Sequence, residues 1–284
     1  MDAILVGALG DPRIPDMKHA RDILLGLRFR LDLYINLRPC RLLHPDLCPL
    51  KGDHKIDLVI FRENTEGLYL ARGRSSNVGT PEEEQIAEDV HTAPKVTRII
   101  RAAFEWAKAQ GKTHVTMADK SNAIPAHHIW QRIFAQVGEQ FPGIERDHYY
   151  IDALAMQLVK RPEQFQVIVT NNLFGDIISD LSAQLVGGLG VAPSGNLHPG
   201  KVGLFEPVHG SAPKYAGQNS ANPMATILTG AMMLRELGLP AGAMRLEDAV
   251  GRALAAGIRT SDLGGKMGTA EVGKWVDDQV RGSN

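Results

Sequence analysis

Cysteine is scarce in this 284-residue sequence, which contains only Cys40 and Cys48. Two cysteines are too few for a disulfide framework, and their spacing is not that of a C-x-x-C metal site. We therefore expect a reducing compartment, the cytoplasm. An excess of charge is also lacking, since the formal net charge is −1. No global field favours nucleic acid or an anionic membrane, so neither is an expected partner.

Long apolar runs are missing as well. The weakly charged stretches 181–200 and 222–235 are broken by Gly and Pro or too short to span a bilayer. Residues 1–12 are largely apolar but have no preceding basic region and no cleavage signal, so they are expected to form a buried strand and not a secretory peptide. With 44% hydrophobic and 22% charged residues, the composition is typical of a globular protein of one large or two modest domains.

Strand-like segments alternate with helical patterns along much of the chain, which predicts an α/β architecture with a largely parallel sheet. The Gly- and Pro-rich residues 187–195 are interpreted as a domain crossing, and the polar stretch 71–89 as an exposed loop or arm. Strands are predicted at 3–6, 33–37, 57–61, 114–118, 148–151, 167–170 and 202–205, and helices at 18–30, 93–110, 126–140, 153–160, 176–186, 222–237, 245–257 and 269–281.

Three aspartates follow predicted strands. Asp176 and Asp180 are one helical turn apart, so their like charges share a face and repel unless a cation lies between them. Asp152 also stands between a strand and a helix, and ligands collect at the carboxyl ends of parallel strands. Carboxylate ligands of this kind suit Mg²⁺ or Mn²⁺. The alternative is that Asp176 and Asp180 are solvated helix-start residues and Asp152 a helix N-cap.

Arginines are placed near the ends of other predicted elements. Arg28, Arg38 and Arg62 could grip carboxylates bidentately, which together with the acids describes a site for a metal-chelated polycarboxylate. The alternative is that each is a surface or ion-pair arginine. Lys120, after a strand, and Tyr69, seven residues past Arg62, are candidate proton carriers.

The segment 205–223 is dense in Gly, Pro, Ser and Asn and precedes an apolar helix, so its backbone N–H groups could bind an anion. It is neither a G-x-G-x-x-G fingerprint nor a P-loop, and a nucleotide would bind here in a different manner. His209 is either a ligand contact or a simple loop histidine. The pair His127 and His128 indicates a helix start and not a metal site, because adjacent residues point apart.

Taken together, these segments resemble the β-decarboxylating dehydrogenase family, which comprises isopropylmalate, isocitrate, homoisocitrate and tartrate dehydrogenases. The resemblance covers nearly the whole chain through LRFRLDLYINLRP, FRENTEGLY, DKSNA, IDALAMQLV, NLFGDIISDL and FEPVHGSAPKYAGQNSANP, in that order. It implies the family's two-domain fold, which is not the Rossmann fold. Residues 1–33 and 187–284 would form the cofactor-binding domain, and 34–186 an inserted substrate and dimerisation domain with an arm near 71–89. The active site would lie in a cleft between the domains of a homodimer.

The resemblance also implies roles for the charged residues. Asp176 and Asp180 would hold Mg²⁺ or Mn²⁺ together with the partner's Asp152. Lys120, also expected from the partner subunit, would take the C2 hydroxyl proton as hydride leaves C2 for the nicotinamide. The 3-carboxylate would depart as CO₂, and Tyr69 would help deliver a proton to C3. The substrate carboxylates would be bound by Arg28, Arg38 and Arg62.

The expected substrate is 3-isopropylmalate, an intermediate of leucine biosynthesis. The helix before Arg28 faces the variable C3 group in this family, and Leu24 and Leu25 suit an isopropyl group. Bacterial isocitrate enzymes carry serine and asparagine where this chain has Asp22 and Leu24. A hydrophobic pocket discriminates by only about 1–3 kcal/mol per methylene, so isocitrate, homoisocitrate or tartrate stay open as substrates.

The expected cofactor is NAD or NADP. NAD-preferring members place an acid after HGSAP, whereas this chain has Lys214 and Tyr215, with Arg161 matching a phosphate-binding arginine of NADP-dependent isocitrate enzymes. Cationic side chains at these positions would attract the 2′-phosphate of NADP, so the charges favour NADP. Isopropylmalate enzymes as a group, however, prefer NAD. The residues implied to bind the cofactor are Glu206, His209, Gly210, Ser211, Ala212, Lys214, Tyr215, Asn222 and Arg161.

One feature departs from the family. Its members begin with a strand and a G-D-G-I-G-P turn that do not precede Met1 here. The sequence therefore predicts a cofactor domain without its first strand-helix unit, with an exposed sheet edge. Two hypotheses remain, an active dehydrogenase and a catalytically inactive fragment or partner subunit.

Overall fold

A computed structural model of the chain describes residues 2–11, 13–14 and 18–282. Helices and strands alternate over most of this length. The α-helices of the described part are α1 (Lys18–Arg30), α2 (Ala93–Ala109), α3 (His128–Gly138), α4 (Ile151–Lys160), α5 (Asn172–Leu185), α6 (Met224–Glu236), α7 (Pro240–Ala255) and α8 (Thr269–Arg281). The strands are β1 (Ala3–Leu5), β2 (Ile35–Arg41), β3 (Asp57–Glu63), β4 (Gly73–Ser76), β5 (Glu84–Ala87), β6 (His114–Asp119), β7 (Glu145–Tyr150), β8 (Val167–Thr170), β9 (Pro193–Leu197) and β10 (Gly203–Pro207).

The chain divides into two compact units. The first comprises Met1–Val59 and Ser179–Asn284, and the second comprises Ile60–Ile178. The strand order is β1-β10-β9-β2 in the first unit and β3-β8-β6-β7 in the second, with β3 beginning in the first. The predicted domains, 1–33 plus 187–284 and 34–186, have other boundaries and stay a prediction. None of the described helices is both long and apolar enough to cross a bilayer.

The sheet is mostly parallel, as the sequence predicted. Strand β1 pairs parallel with β10, and β6 pairs parallel with both β7 and β8. Every residue of β8 is buried, which is typical of a parallel strand covered on both faces. The buried positions of α2, among them Val96, Ile100, Ala103 and Ala107, recur every three or four residues and form the stripe that packs on the core.

Strand β9 lies in the segment that was interpreted as a long break. It is antiparallel to both β10 and β2. Its sequence, PSGNL, has no apolar alternation, so pairing with two neighbours and not local propensity makes it a strand. Gly195 of β9 is needed for close packing, because a Cβ there would lie 3.0 Å from the Met232 side chain and 3.2 Å from the Phe205 ring.

Residues of α6, α7 and α8 form an apolar core in the first unit. Met224, Ala249, Leu254 and Val272 are all fully buried in one apolar cluster. In the second unit, the stretch 71–89 contains the antiparallel hairpin β4–β5, whose residues are nearly all exposed.

Helix α5 begins four residues earlier than predicted, at Asn172 and not at Asp176. The side chain of Asn171 accepts the N–H of Phe174 at 2.9 Å and so satisfies a free donor of the first turn. The first turn holds no acid. The interpretation of Asp176 and Asp180 as helix-start residues is therefore wrong, because both lie inside the helix.

Close packing between α5 and β3 depends on a residue without a side chain. A Cβ on Gly175 would lie 2.5 Å from Cγ and 3.2 Å from the Cα of Arg62. Contacts this short require the backbone to shift. Gly175 therefore sets the distance between the helix that carries Asp176 and the strand that carries Arg62.

We predict that Gly175→Ala lowers the free energy of unfolding by about 1–3 kcal/mol, because it overpacks the contact with Arg62. The matched control is Gly251→Ala in α7, where a Cβ would meet nothing within 4 Å. There the same change is expected to stabilise by about 0.5–1 kcal/mol, since alanine favours a helix. Urea denaturation of both variants measures the difference, and equal effects would contradict the packing argument.

Candidate active site

The second unit brings together Arg62, Tyr69 and Asp176. Arg62 is buried at the end of β3, and its Nε donates to Oδ1 of Asn172 at 2.9 Å. Its Nη1 donates to Oδ1 of Asp176, while the Tyr69 hydroxyl donates to Oδ2 of the same carboxylate at 2.6 Å. The guanidinium also lies 5.1 Å from the centre of the Tyr69 ring. A predicted substrate ligand, proton donor and metal ligand thus contact one another directly.

A second arginine–aspartate pair lies in the first unit. Arg38 is buried in β2, and its Nη1 donates to Oγ of Ser179 at 2.6 Å and to Oδ1 of Asp180 at 3.0 Å. Nε donates to Oδ1 of Asn36 at 2.8 Å, which fixes the plane of the guanidinium. The Asp180 side chain is 52% exposed, so it can take a further ligand.

Arg28 and Glu206 form a third pair, also in the first unit. Arg28 lies near the end of α1, and its Nη2 is 2.9 Å from Oε1 of Glu206 in β10. The same oxygen accepts from Nδ2 of Asn196 at 3.0 Å. All three predicted arginines therefore form ion pairs, as the alternative interpretation held, but each carboxylate partner is itself a predicted site residue.

The pair Lys120 and Asp152 lies in the second unit. Lys120 follows β6, and its Nζ donates to Oδ1 of Asp152 at 2.7 Å. This bond lowers the pKa of the largely exposed Asp152 carboxyl below its usual value. Helix α4 has Tyr150 as its N-cap and no side-chain capping bond. The alternative of Asp152 as an N-cap is therefore wrong, since it lies within the first turn and binds Lys120.

The donor set of Asp152, Asp176 and Asp180 fits a hard divalent cation, because all three offer carboxylate oxygens on partly exposed side chains. They do not form a compact group within one chain. In the described residues, one group of three acid, His or Cys side chains has its ligand atoms within 4.8 Å of one another, and it consists of other residues.

Leu24 and Leu25 lie in α1, four and three residues before Arg28, and are half-buried. Residues at these spacings share a helix face. The apolar pair and the arginine therefore lie on one face of α1.

The loop that precedes α6 carries most of the predicted cofactor residues, as expected for a loop at a helix start. The side chains of Lys214 and Tyr215 are exposed, with Nζ 4.7 Å from the ring centre. Nε2 of His209 is buried without a hydrogen-bond partner, which leaves a polar atom for a ligand.

The remaining cofactor candidates have distinct surroundings. Gly210, Ser211 and Ala212 lead into the 3₁₀ turn Pro213–Tyr215, and Ala212 has a left-handed φ of 42°. Asn222 donates to Asp262 at 3.0 Å and accepts the N–H of Met224 at 2.9 Å, so it supports the start of α6. Arg161 is exposed at the end of α4, in the other unit.

One cluster escaped the sequence reasoning. Asp89, His91 and His127 lie together in the second unit, with Nε2 of each histidine close to the Asp89 carboxylate, at 3.0 and 2.9 Å. His127 is buried while His128 is exposed, so the two adjacent histidines do point apart. Asp89 and His127 are 38 residues apart, and no spacing pattern in the sequence connects them.

Comparison with known proteins shows which family the chain is similar to. The family model described as isocitrate/isopropylmalate dehydrogenase matches residues 1–276. A 3-isopropylmalate dehydrogenase of Streptomyces avermitilis is 46% identical over 257 residues, which cover 89% of this chain and 74% of that protein. One from Streptomyces coelicolor is 44% identical over 284 residues, covering 99% and 81%.

Among solved structures, the isocitrate dehydrogenase from Methylococcus capsulatus matches with a TM-score of 0.87 and 37% identity, covering 97% of this chain and 80% of that one. This confirms the fold class predicted from the sequence. The chain belongs to the isocitrate/isopropylmalate dehydrogenase family.

Proposed function

We propose that the protein catalyses the oxidative decarboxylation of 3-isopropylmalate with a divalent metal ion and NAD or NADP. The observation that carries the proposal is the contact of Arg62 and Tyr69 with the two oxygens of Asp176. A substrate ligand, a proton donor and a metal ligand are needed together in this reaction. The names of the relatives that are 44–46% identical support this substrate.

The arginines bind the carboxylates of the substrate. Each guanidinium carries five N–H donors in a planar fork that matches the geometry of a carboxylate. Arg38 and Arg62 are buried, so an anion beside them interacts in surroundings of low dielectric constant. Arg28 lies next to Leu24 and Leu25, which contact the isopropyl group while the arginine binds a carboxylate.

Lys120 and Tyr69 move the protons. Lys120 accepts the proton of the C2 hydroxyl as C2 is oxidised, and the Tyr69 hydroxyl donates a proton to C3 after CO₂ has left. Tyr69 is suited to this because its hydroxyl is already oriented by Asp176 at 2.6 Å.

Asp176, Asp180 and the partner's Asp152 hold the metal ion. When bound, such an ion supplies Lewis-acid polarisation of the oxygen at C2 and neutralises developing negative charge. The loop 208–223 and Arg161 bind the dinucleotide, whose nicotinamide supplies the hydride acceptor. The orphaned Nε2 of His209 and the exposed Lys214 and Tyr215 fit this role.

The active unit is a homodimer in which Lys120 and Asp152 serve the partner's site. Large apolar side chains are exposed on α4 and α5 of the second unit, namely Met156, Val159 and Ile177. A face of this composition is typical of a subunit interface. The two copies would meet through the same patch, which gives a twofold arrangement with two shared sites.

The first experiment measures NAD⁺ and NADP⁺ reduction by the purified chain with Mn²⁺ and either 3-isopropylmalate or isocitrate. We expect 3-isopropylmalate to have the higher kcat/KM, because Leu24 and Leu25 favour an apolar substituent. Chelation of the metal is expected to abolish turnover, and Asp176→Asn to remove most of it. Higher kcat/KM for isocitrate would assign the chain to the alternative substrate, and no turnover with either would support the inactive alternative.

Mixing two inactive variants tests the shared site. Lys120→Met and Asp176→Asn are each expected to be inactive as pure dimers. If Lys120 serves the partner's metal site, a mixed dimer has one intact site, so random reassociation restores about a quarter of wild-type activity. Refolding the two variants together and assaying the mixture measures this. Lack of recovery, with mixed dimers shown by mass spectrometry, would place both residues in one subunit's site.

Exchange of Lys214 tests the cofactor preference. The exposed Lys214 favours the 2′-phosphate of NADP, whereas an acid in its place would accept hydrogen bonds from the ribose of NAD. Lys214→Asp is therefore expected to raise the ratio of kcat/KM for NAD⁺ to that for NADP⁺ by about tenfold or more, equivalent to about 1.4 kcal/mol. Lys266→Asp, a lysine outside the loop, is the control and should leave the ratio unchanged. If Lys214→Asp and Lys266→Asp show the same ratio of kcat/KM for NAD⁺ to that for NADP⁺, Lys214 does not determine the cofactor preference.

A further inference from the structure

The backbone of Lys120 is held by a buried histidine. Its N–H donates to Nδ1 of His127 at 3.1 Å. His127 is fully buried, and its Nε2 lies 2.9 Å from Oδ2 of Asp89. Two hydrogen bonds in series therefore run from Asp89 to the main chain of the residue that carries the proposed base.

The first of these bonds fixes the tautomer of His127. A ring nitrogen that accepts an N–H carries no proton, so the proton of the neutral imidazole is on Nε2. Nε2 then donates to Asp89. A proton on Nδ1 would point at the N–H of Lys120, so the bond to Lys120 requires Nδ1 to be unprotonated.

Asp89 is held in its charged form. Nε2 of His91 lies 3.0 Å from Oδ1 of Asp89, although it is not aligned for a hydrogen bond. Burial alone raises the pKa of Asp89, but the hydrogen bond from His127 and the proximity of the His91 ring outweigh it and hold the pKa well below its usual range. A carboxylate is a stronger acceptor than a neutral group, so it secures the orientation of the His127 ring.

A metal site was the competing interpretation, because Asp89, His91 and His127 offer ligand atoms within 4.8 Å of one another. A metal ion on Nε2 of His127 would require the ring proton to move to Nδ1. There it would face the N–H of Lys120. The bond to Lys120 and a metal ion on His127 are therefore mutually exclusive for a neutral ring.

The residues beside Asp89 also anchor the turn that carries Tyr69. The N–H of Gly67, two residues before Tyr69, donates to the carbonyl of Val90 at 3.0 Å. The carboxylate of Glu66 accepts from the N–H of Thr92 at 2.9 Å and from its hydroxyl at 2.7 Å. One short segment thus holds the backbones of both proposed proton carriers.

We propose that Asp89, acting through the Nε2–H tautomer of His127, is a positioning residue that fixes the backbone of Lys120 for proton transfer. The inference rests on the proposed function for the role of Lys120, but the hydrogen-bond chain itself does not depend on it. A displacement of the base by about 1 Å is enough to reduce turnover by on the order of 100-fold.

The kinetic test compares two substitutions of His127. Glutamine offers one acceptor and one donor and can replace both bonds, whereas leucine offers neither. His127→Leu is expected to lower kcat by about 10- to 100-fold with little change in the KM values. His127→Gln should retain most of the activity. His128→Leu, at the exposed neighbour, is the control and should match the wild type.

Asp89→Asn tests the same series of hydrogen bonds without changing the size of any side chain. The amide can donate to Nε2 of His127, which would favour the wrong tautomer. We expect a loss in kcat similar to that of His127→Leu. This variant keeps the test valid if His127→Leu does not fold, which circular dichroism will show. Equal losses in the glutamine and leucine variants, or full activity of Asp89→Asn, would overturn the proposal.

A measurement independent of activity separates this inference from the proposed function. Nitrogen-15 NMR of the histidine rings is expected to show the ring proton of His127 on Nε2, with Nδ1 unprotonated, because Nδ1 accepts the N–H of Lys120. If the enzyme shows no turnover but this tautomer is found, the proposed function fails and the hydrogen-bond chain stands. An Nδ1–H tautomer, or stoichiometric zinc that Asp89→Asn removes, would overturn the positioning role.

Discussion

The pairing of buried arginines with helix carboxylates is the interaction on which the candidate site depends. Arg62 is 2% exposed, and leaving its charge without a partner there would cost several kcal/mol. Asp176 supplies the opposite charge, and Gly175 allows α5 to come close enough to β3 for the two to meet. Arg38 and Asp180 repeat the arrangement in the first unit. The charges proposed for substrate and metal binding are thus held in place by one another.

This pairing has a consequence for ligand binding. Carboxylates that are occupied by arginines are protected from mutual repulsion, and they remain exposed enough to accept a cation. The guanidinium groups in turn are oriented by neutral side chains, Asn172 for Arg62 and Asn36 for Arg38. An arginine whose plane is already fixed loses little further freedom when an anion binds. Each of the two arginine–aspartate pairs therefore presents an oriented guanidinium beside a partly exposed carboxylate.

Lys120 is held differently. Its ammonium contacts Asp152, while its main chain is held by His127 and, through it, by Asp89. These bonds act on different parts of the residue, so a change at Asp89 need not alter what the ammonium touches. Because His127 is buried and its tautomer is determined by its neighbours, the arrangement is rigid. Precision of this kind is what a residue that transfers a proton in the transition state requires.

The sequence alone determined the α/β class and most elements, and it predicted which charged residues carry chemistry. Helices 18–30 and 269–281 and strand 167–170 coincide with α1, α8 and β8, because local periodicity and burial agree there. Tertiary structure decided the rest. PSGNL became β9 only because two strands flank it, and α5 began early because Asn171 caps it. Contacts between residues distant in sequence decide which carboxylate each arginine binds. They also connect Asp89 to the main chain of Lys120 through His127. Periodicity reports only a residue's local face, so such contacts arise when the chain folds.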